Sequence, residues 1–271
     1  MTVIIIIAVI LLLLCAAYVL SVKGRRNHPE LDKLQGWAYA HRGLYDQTRP
    51  ENSMAAFRAA KKAGYGIELD VHLLSDGTLA IMHDSALKRT AGAEGRIEDL
   101  TAEQLSQYYL GGTLETIPTL EQVLQLYNRE APMIVELKVA DNNYAALSEA
   151  VCNMLDRYPG AYALESFDPR CVRWLKKNRP DRLRGQLNQH YRKGEAPYPW
   201  ILRFLMTHQV FNLLTTPDFV AYRCADRHTL SNFLVRKLWK VQGVTWTVKS
   251  QKEFDEVIAD GWLPIFENFT P

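Results

Sequence analysis

The sequence lacks several features that mark common protein classes. Its four cysteines, at 15, 152, 171 and 224, form no C-x-x-C pair and no cluster with histidine. That argues against a structural zinc site and gives no disulfide framework. With Cys15 inside an apolar N-terminus, three remain in the body, an odd number that suits free thiols in a reducing compartment. The body holds no lysine/arginine run and the formal net charge is only +2, so nucleic acid is not expected as a partner. There is no internal repeat and no low-complexity tract, and nothing points to a protein partner. With 48% hydrophobic and 23% charged residues, the composition is that of a folded globular chain.

Charge is also missing from the whole stretch VIIIIAVILLLLCAAYVLSV, Val3 to Val22. A helix of this length spans about 30 Å, the thickness of a bilayer's hydrocarbon core. A cleaved signal peptide needs a basic segment ahead of its apolar run, and here only Met1 and Thr2 precede it. Leu12, Leu13 and Leu14 before Cys15 lack the small residues of a lipoprotein site. Residues 1–22 are therefore expected to be an uncleaved transmembrane anchor. Lys23, Arg25 and Arg26 follow it directly, and by the positive-inside rule they place the C-terminal body in the cytoplasm of a single-pass membrane protein. Residues 23–36 read as a polar linker whose reach is at most about 50 Å.

The body, residues 37–271, alternates short apolar runs with helical patterns, as a parallel α/β sheet does. Strands are expected near 37–41, 66–72, 78–83, 133–138, 162–167, 183–187, 218–222, 244–248 and 263–267. The second and third are separated only by Ser75-Asp76-Gly77, too short for a parallel crossover. They should form a hairpin, and the remaining strands close a TIM (β/α)8 barrel with a small insertion around 87–118. Capping-box spacing at Thr101/Gln104, Thr119/Gln122 and Ser250/Glu253 marks helix starts. Asp168-Pro169 marks another, and Gly64 and Gly261 sit where helices should stop.

Chemistry-bearing residues concentrate in three stretches: Ala40-His41-Arg42-Gly43, Gly66 to Asp84, and Ile134 to Lys138. Residues i and i+2 of a strand share a face, so Glu68 and Asp70 project together. Two carboxylates on an otherwise apolar strand repel unless a cation or proton joins them. The hairpin returns His83 to the same end. Glu136 and Lys138 repeat the i, i+2 arrangement on another strand. A third carboxylate would complete an all-oxygen site suited to Mg²⁺ or Ca²⁺. His41 and His83 titrate near neutrality and can serve as acid and base. Arg42 offers a planar fork for a phosphate, and Lys138 a point charge.

Taken in order, these residues resemble the glycerophosphodiester phosphodiesterase family. The elements H-R-G, P-E-N-[ST], E-x-D-V, D-G and H-D occur as His41-Arg42-Gly43, Pro50-Glu51-Asn52-Ser53, Glu68-Leu69-Asp70-Val71, Asp76-Gly77 and His83-Asp84. Further matches are Pro118-Thr119-Leu120-Glu121, Glu136-Leu137-Lys138, Ser166-Phe167-Asp168 and Trp246-Thr247-Val248. The resemblance implies a TIM barrel with its site at the strands' C-terminal ends. It implies one divalent cation on Glu68, Asp70 and Glu136, with His41 and His83 as the acid/base pair. Arg42 and Lys138 would hold phosphate, Trp246 would line the substrate cleft, and Glu51 and Asn52 would support the site. One departure stands at the end of the last strand, where many members carry T-D and this chain has Phe266-Glu267-Asn268, with Glu267 as the candidate replacement.

The activity implied is metal-dependent hydrolysis of a glycerophosphodiester to glycerol phosphate and an alcohol. A lipid-directed relative of that activity, on lysophospholipids, is the alternative suggested by the anchor and by the apolar stretch Tyr198 to Met206. The same stretch also fits an ordinary helix packing its apolar face. An inactive membrane scaffold is a third reading, which the retained His41, Glu68, Asp70, His83, Glu136 and Lys138 count against.

Overall fold

A computed structural model describes residues 1–192, 194 and 198–271. Its strands are β1 Tyr39–His41, β2 Gly66–Leu73, β3 Leu79–Ile81, β4 Met133–Leu137, β5 Tyr162–Ser166, β6 Arg184–Asn188, β7 Phe219–Arg223, β8 Gln242–Val248 and β9 Trp262–Phe266. The helices are α1 Thr2–Ser21, α2 Met54–Lys62, α3 Lys88–Ala91, α4 Leu120–Tyr127 and α5 Tyr144–Leu155. They continue as α6 Pro169–Asn178, α7 Trp200–Thr207, α8 Asn212–Thr215, α9 Leu230–Phe233 and α10 Gln251–Ala259. Eight strands pair in parallel and close through β1–β2, while β3 runs antiparallel to β2 with Val71 opposite Ile81. The expected TIM barrel and its hairpin are both present. Thr101 and Thr119 form complete capping boxes, and Asp168 caps α6 ahead of Pro169.

Strands with both faces covered bury nearly every residue, as β2 and β4 do. The period of two decides which residue goes where. One face of the strands sends Tyr39, Ile134, Ala163, Phe219, Val244 and Ile265 into the barrel, where they pack together. Two residues further along the same faces come His41, Glu136, Glu165, Ala221, Trp246 and Glu267. An apolar floor thus lies beneath a polar layer at the strands' C-terminal ends. The opposite faces pack against the surrounding helices, joining Leu69, Val71, Val135 and Leu164 to α2, α4, α5 and α6. A Cβ on Gly185 would lie 2.2 Å from the Phe219 ring, so the floor needs glycine there.

The insertion has its own small core, in which Met82, Leu87, Ile97, Leu105 and Ile117 are buried. It is tied to β2 by Glu98, which lies 2.7 Å from His72 Nδ1 and accepts a hydrogen bond from Ser85 at 2.6 Å. Against the desolvation that would raise it, these partners hold the Glu98 carboxyl down at about 2. A depressed carboxyl contributes stability that is present above its unfolded value of about 4.3 and is lost as pH falls through the folded value. Glu98→Gln is therefore expected to melt below the parent at pH 5–7, with the gap closing as pH approaches 2.

Residues 23–36 are not the free tether expected from their polarity. Leu31–Leu34 form a turn of 3₁₀ helix, and Leu34, fully buried, plugs the bottom of the barrel. The Tyr39 hydroxyl donates to its carbonyl at 2.8 Å. Arg25 pairs with the buried Asp218, and its backbone N–H donates to Pro217 at 2.8 Å. Leu31, Leu34 and Trp37 are spaced by three residues, a short apolar face hidden among charges, and an open barrel end supplies the surface for it. Arg25→Ala removes a charged partner from a buried carboxylate and is expected to cost about 2 kcal/mol, read as a lower denaturation midpoint in urea.

Helix α1 is exposed over residues 2–17 and, among the described residues, packs onto the barrel through its last turn. There Tyr18 meets His208, the Trp239 indole N–H donates to the Val19 carbonyl, and Asn212 donates to the Val22 carbonyl.

Candidate active site

The site occupies the polar layer above the barrel floor. Parallel pairing sets Asp70 beside Glu136, and Glu136 beside Glu165. Oxygen atoms of Glu68, Asp70 and Glu136 lie within 4.8 Å of one another, and all three residues are buried. Glu165 is buried with them, and its Oε2 has no hydrogen-bond partner among the described residues. The nearest cations are Lys138, whose Nζ is 2.9 Å from Asp70 and 2.8 Å from Glu136, and Arg42, whose Nε is 3.5 Å from Asp70.

Two cations do not balance these acids. Burial, Asp70 and Glu136 together push the Glu68 carboxyl well above the ordinary carboxylate range. Burial pushes Glu136 up to about 7 despite Lys138, and burial with Glu136 lifts Glu165 likewise. Asp70 goes the other way. Although burial opposes its charge, Lys138, His83 and Arg42 hold it ionised. Four buried carboxyl groups beside two bases form a site short of positive charge, and its donors are all oxygen. That is the donor set of a hard divalent cation, so the residues fit a divalent metal site.

The HRG turn after β1 is shaped by backbone constraints. Arg42 and Gly43 both have positive φ, 55° and 82°, and a Cβ on Gly43 would lie 2.9 Å from Ala56. The turn aims the Arg42 N–H at Glu68 Oε2, 3.1 Å away, and its guanidinium at Glu51, 2.9 Å away. Asn52 accepts no strain for nothing: its positive φ of 55° lets its N–H donate to the Arg42 carbonyl while its amide donates to Asp70 at 2.8 Å. Glu51 is further bound by Arg89, which also pairs with Asp84.

Each histidine is held by a carboxylate through Nδ1. His41 Nδ1 lies 2.6 Å from Glu267, and its Nε2 is 3.9 Å from Glu68. His83 Nδ1 lies 2.6 Å from Asp84, leaving Nε2 as its available nitrogen. Burial lowers both, His83 to about 4 with Lys138 adding to the effect. Both histidines line one small cavity of about 40 Å³ together with Glu68, Glu136 and Trp246. Trp246 packs edge-on against Phe167, and its indole N–H has no partner among the described residues.

All ten residues expected from sequence therefore gather at this end of the barrel. Glu165 was not expected. It is a lone acid in Leu164-Glu165-Ser166 and only its register with Glu136 reveals it. Glu267, noted as a candidate replacement, is the His41 partner. Next to the acids, a cleft of about 700 Å³ runs from His83, Glu136 and Lys138 to the apolar side chains of Tyr198, Leu202 and Met206.

A closed parallel barrel with its ionisable groups collected at the strands' C-terminal ends is the arrangement of a TIM-barrel enzyme. The chain belongs to the glycerophosphoryl diester phosphodiesterase family, whose family model matches residues 41–269. A glycerophosphodiester phosphodiesterase of Bacillus altitudinis is 37% identical over 129 residues, 44% of this chain and 52% of that protein. The chain thus spans about half the length of that relative. Human glycerophosphodiester phosphodiesterase 1 is 28% identical over 81% of this chain and 72% of its own. Among solved structures, an Oleispira antarctica phosphodiesterase in complex with the product sn-glycerol-3-phosphate superposes with a TM-score of 0.69. It shares 22% identity and covers 85% of this chain and 92% of its own.

Proposed function

We propose that this chain hydrolyses glycerophosphodiesters to glycerol phosphate and an alcohol, with Glu68, Asp70 and Glu136 holding one Mg²⁺ or Ca²⁺. The observation that carries the reading is the meeting of two carboxylate-held histidines and a cluster of undercompensated acids in one cavity, within a chain of this family. When bound, the cation would neutralise charge that develops on the phosphate oxygens. Arg42 and Lys138 bind and orient the phosphate. One histidine, through Nε2, takes the proton of the attacking hydroxyl, and the other protonates the leaving alkoxide. Attack by water gives glycerol phosphate directly, whereas attack by the substrate's own glycerol hydroxyl gives a cyclic phosphate that water then opens. Glu267 and Asp84 fix each ring's orientation and stabilise its protonated form. Glu51 and Asn52 hold Arg42 and Asp70 in place, and Trp246 bounds the alcohol side of the cavity.

The apolar wall of the adjoining cleft favours a second reading, in which the alcohol or acyl part of a lysophospholipid lies along Tyr198, Leu202 and Met206. The two are separated by assaying purified protein on glycerophosphodiesters and lysolipids with Mg²⁺, with Ca²⁺ and with chelator. Failure to release glycerol phosphate from glycerophosphodiesters, together with failure to release acylated glycerol phosphate and free head-group alcohol from lysolipids, would overturn both. We also read α1 as a membrane anchor and the body as cytoplasmic. The charge argument for that side rests mainly on Lys23 and Arg26, since Arg25 is engaged with Asp218.

A further inference from the structure

We infer that the catalytic end of the barrel faces the bilayer, with the outer side of α7 and the start of α9 lying in the lipid surface. This rests on reading α1 as a membrane anchor and adds the direction in which the body is held. The direction follows from contacts. Arg25 touches Pro217 and Asp218, just before β7 begins, Val22 packs on Val220, and Tyr18 reaches His208, next to Thr207, whose carbonyl accepts from the Tyr222 hydroxyl. Followed from residue 25 back to 18, the contacts advance along β7 from its start toward the strands' C-terminal ends, so the segment itself runs antiparallel to the strand. Continued in the same sense, the exposed residues 17 to 2 leave the barrel on its catalytic side.

Length then fixes depth. The 20 residues of α1 span about 30 Å, no more than the hydrocarbon core they must cross. Its last turn, from Tyr18 to Ser21, is already packed against the body, so the rim of the barrel has to sit at the lipid boundary. The rim is built for that position. Trp200, Ile201 and Phe204 of α7 are 71%, 53% and 54% exposed, and Leu230 and Phe233 of α9 are 65% and 61% exposed. Phe204 packs against His208, which meets Tyr18, so this apolar surface is continuous with the root of α1. The inner side of α7 bears Leu202 and Met206, which line the cleft beside the acids. One helix therefore separates the lipid from the cleft, and a substrate alcohol with an acyl chain has a short lateral path to it.

The test uses full-length protein carrying Cys15→Ser, reconstituted in phosphatidylcholine/phosphatidylglycerol vesicles. A polarity-sensitive fluorophore is attached at Phe204→Cys, at Phe233→Cys or at Gln35→Cys on the opposite end of the barrel. The expected result is quenching by lipids spin-labelled on the acyl chain, several-fold stronger at 204 and 233 than at 35. Equal quenching at all three sites, none at any, or stronger quenching at 35 overturns the orientation. Flotation of the vesicles at alkaline pH is read on the same samples. Protein that fails to float overturns the anchor itself and the orientation with it, whereas protein that floats with the wrong pattern overturns the orientation alone.

Discussion

Glu68→Gln, Asp70→Asn and Glu136→Gln are each expected to lower turnover by at least about 10²-fold, comparable to loss of other preorganised charge-stabilising groups, and chelator should abolish activity in the parent. Stability should move in the opposite direction, which separates a metal site from a structural cluster. Without cation, Glu68 is a buried acid repelled by Asp70 and Glu136, so its replacement by glutamine removes repulsion and raises the melting temperature by a few degrees. With cation, the parent gains stability from binding that the variant lacks, and the order reverses. The pH dependence has a definite sign. Glu136 is raised to about 7, so in chelator it contributes stability below its unfolded value of about 4.3 and loses it as pH rises through 7. Saturating cation should flatten that fall. Full activity in chelator, or identical melting of parent and Glu68→Gln with and without cation, would falsify the metal site.

His41→Ala and His83→Ala should each reduce kcat by about 10²- to 10⁴-fold, the range for loss of a general acid or base. Because the two act in one proton cycle, the double variant should be far less impaired than the product of the single effects. Folding is a poor explanation for such losses. His83 is one-third exposed and its imidazole is held by Asp84, and Glu267 keeps Tyr45, Thr247 and Lys249 when His41 is removed. Melting temperatures in saturating cation should therefore stay within a few degrees of the parent. Near-normal turnover in either variant assigns that histidine to orientation and removes it from the reaction.

The hairpin, the strand sequence and the clustering of Glu68, Asp70, Glu136, Lys138, His41 and His83 were legible because each depends on local pattern, while Glu51, Asn52 and Trp246 were singled out through the family resemblance. Glu68 and Asp70 share a face by the pleat alone, Thr119 and Gln122 meet within one helical turn, and a three-residue turn can only reverse the chain. Lone side chains were not legible. Glu165 carries no local signal, and it joins the site only because β5 pairs in register with β4. Leu34 sits in a charged stretch and is buried only because a closed barrel leaves an end to plug.

By itself, then, the sequence determined that a twenty-residue apolar helix precedes an eightfold barrel, and that Glu68, Asp70, Glu136, His41 and His83 are among the ionisable groups it carries. Those properties follow from periodicities of 3.6 and 2 and from spacings of a few residues. Only the tertiary structure decided that residues 23–36 are part of the body, that His41 rests on Glu267, and toward which end of the barrel α1 departs. Each of these is a contact between residues about 190 or more apart in the chain or a choice of barrel face, and loop closure over such distances is set by the whole packed fold and by no local pattern.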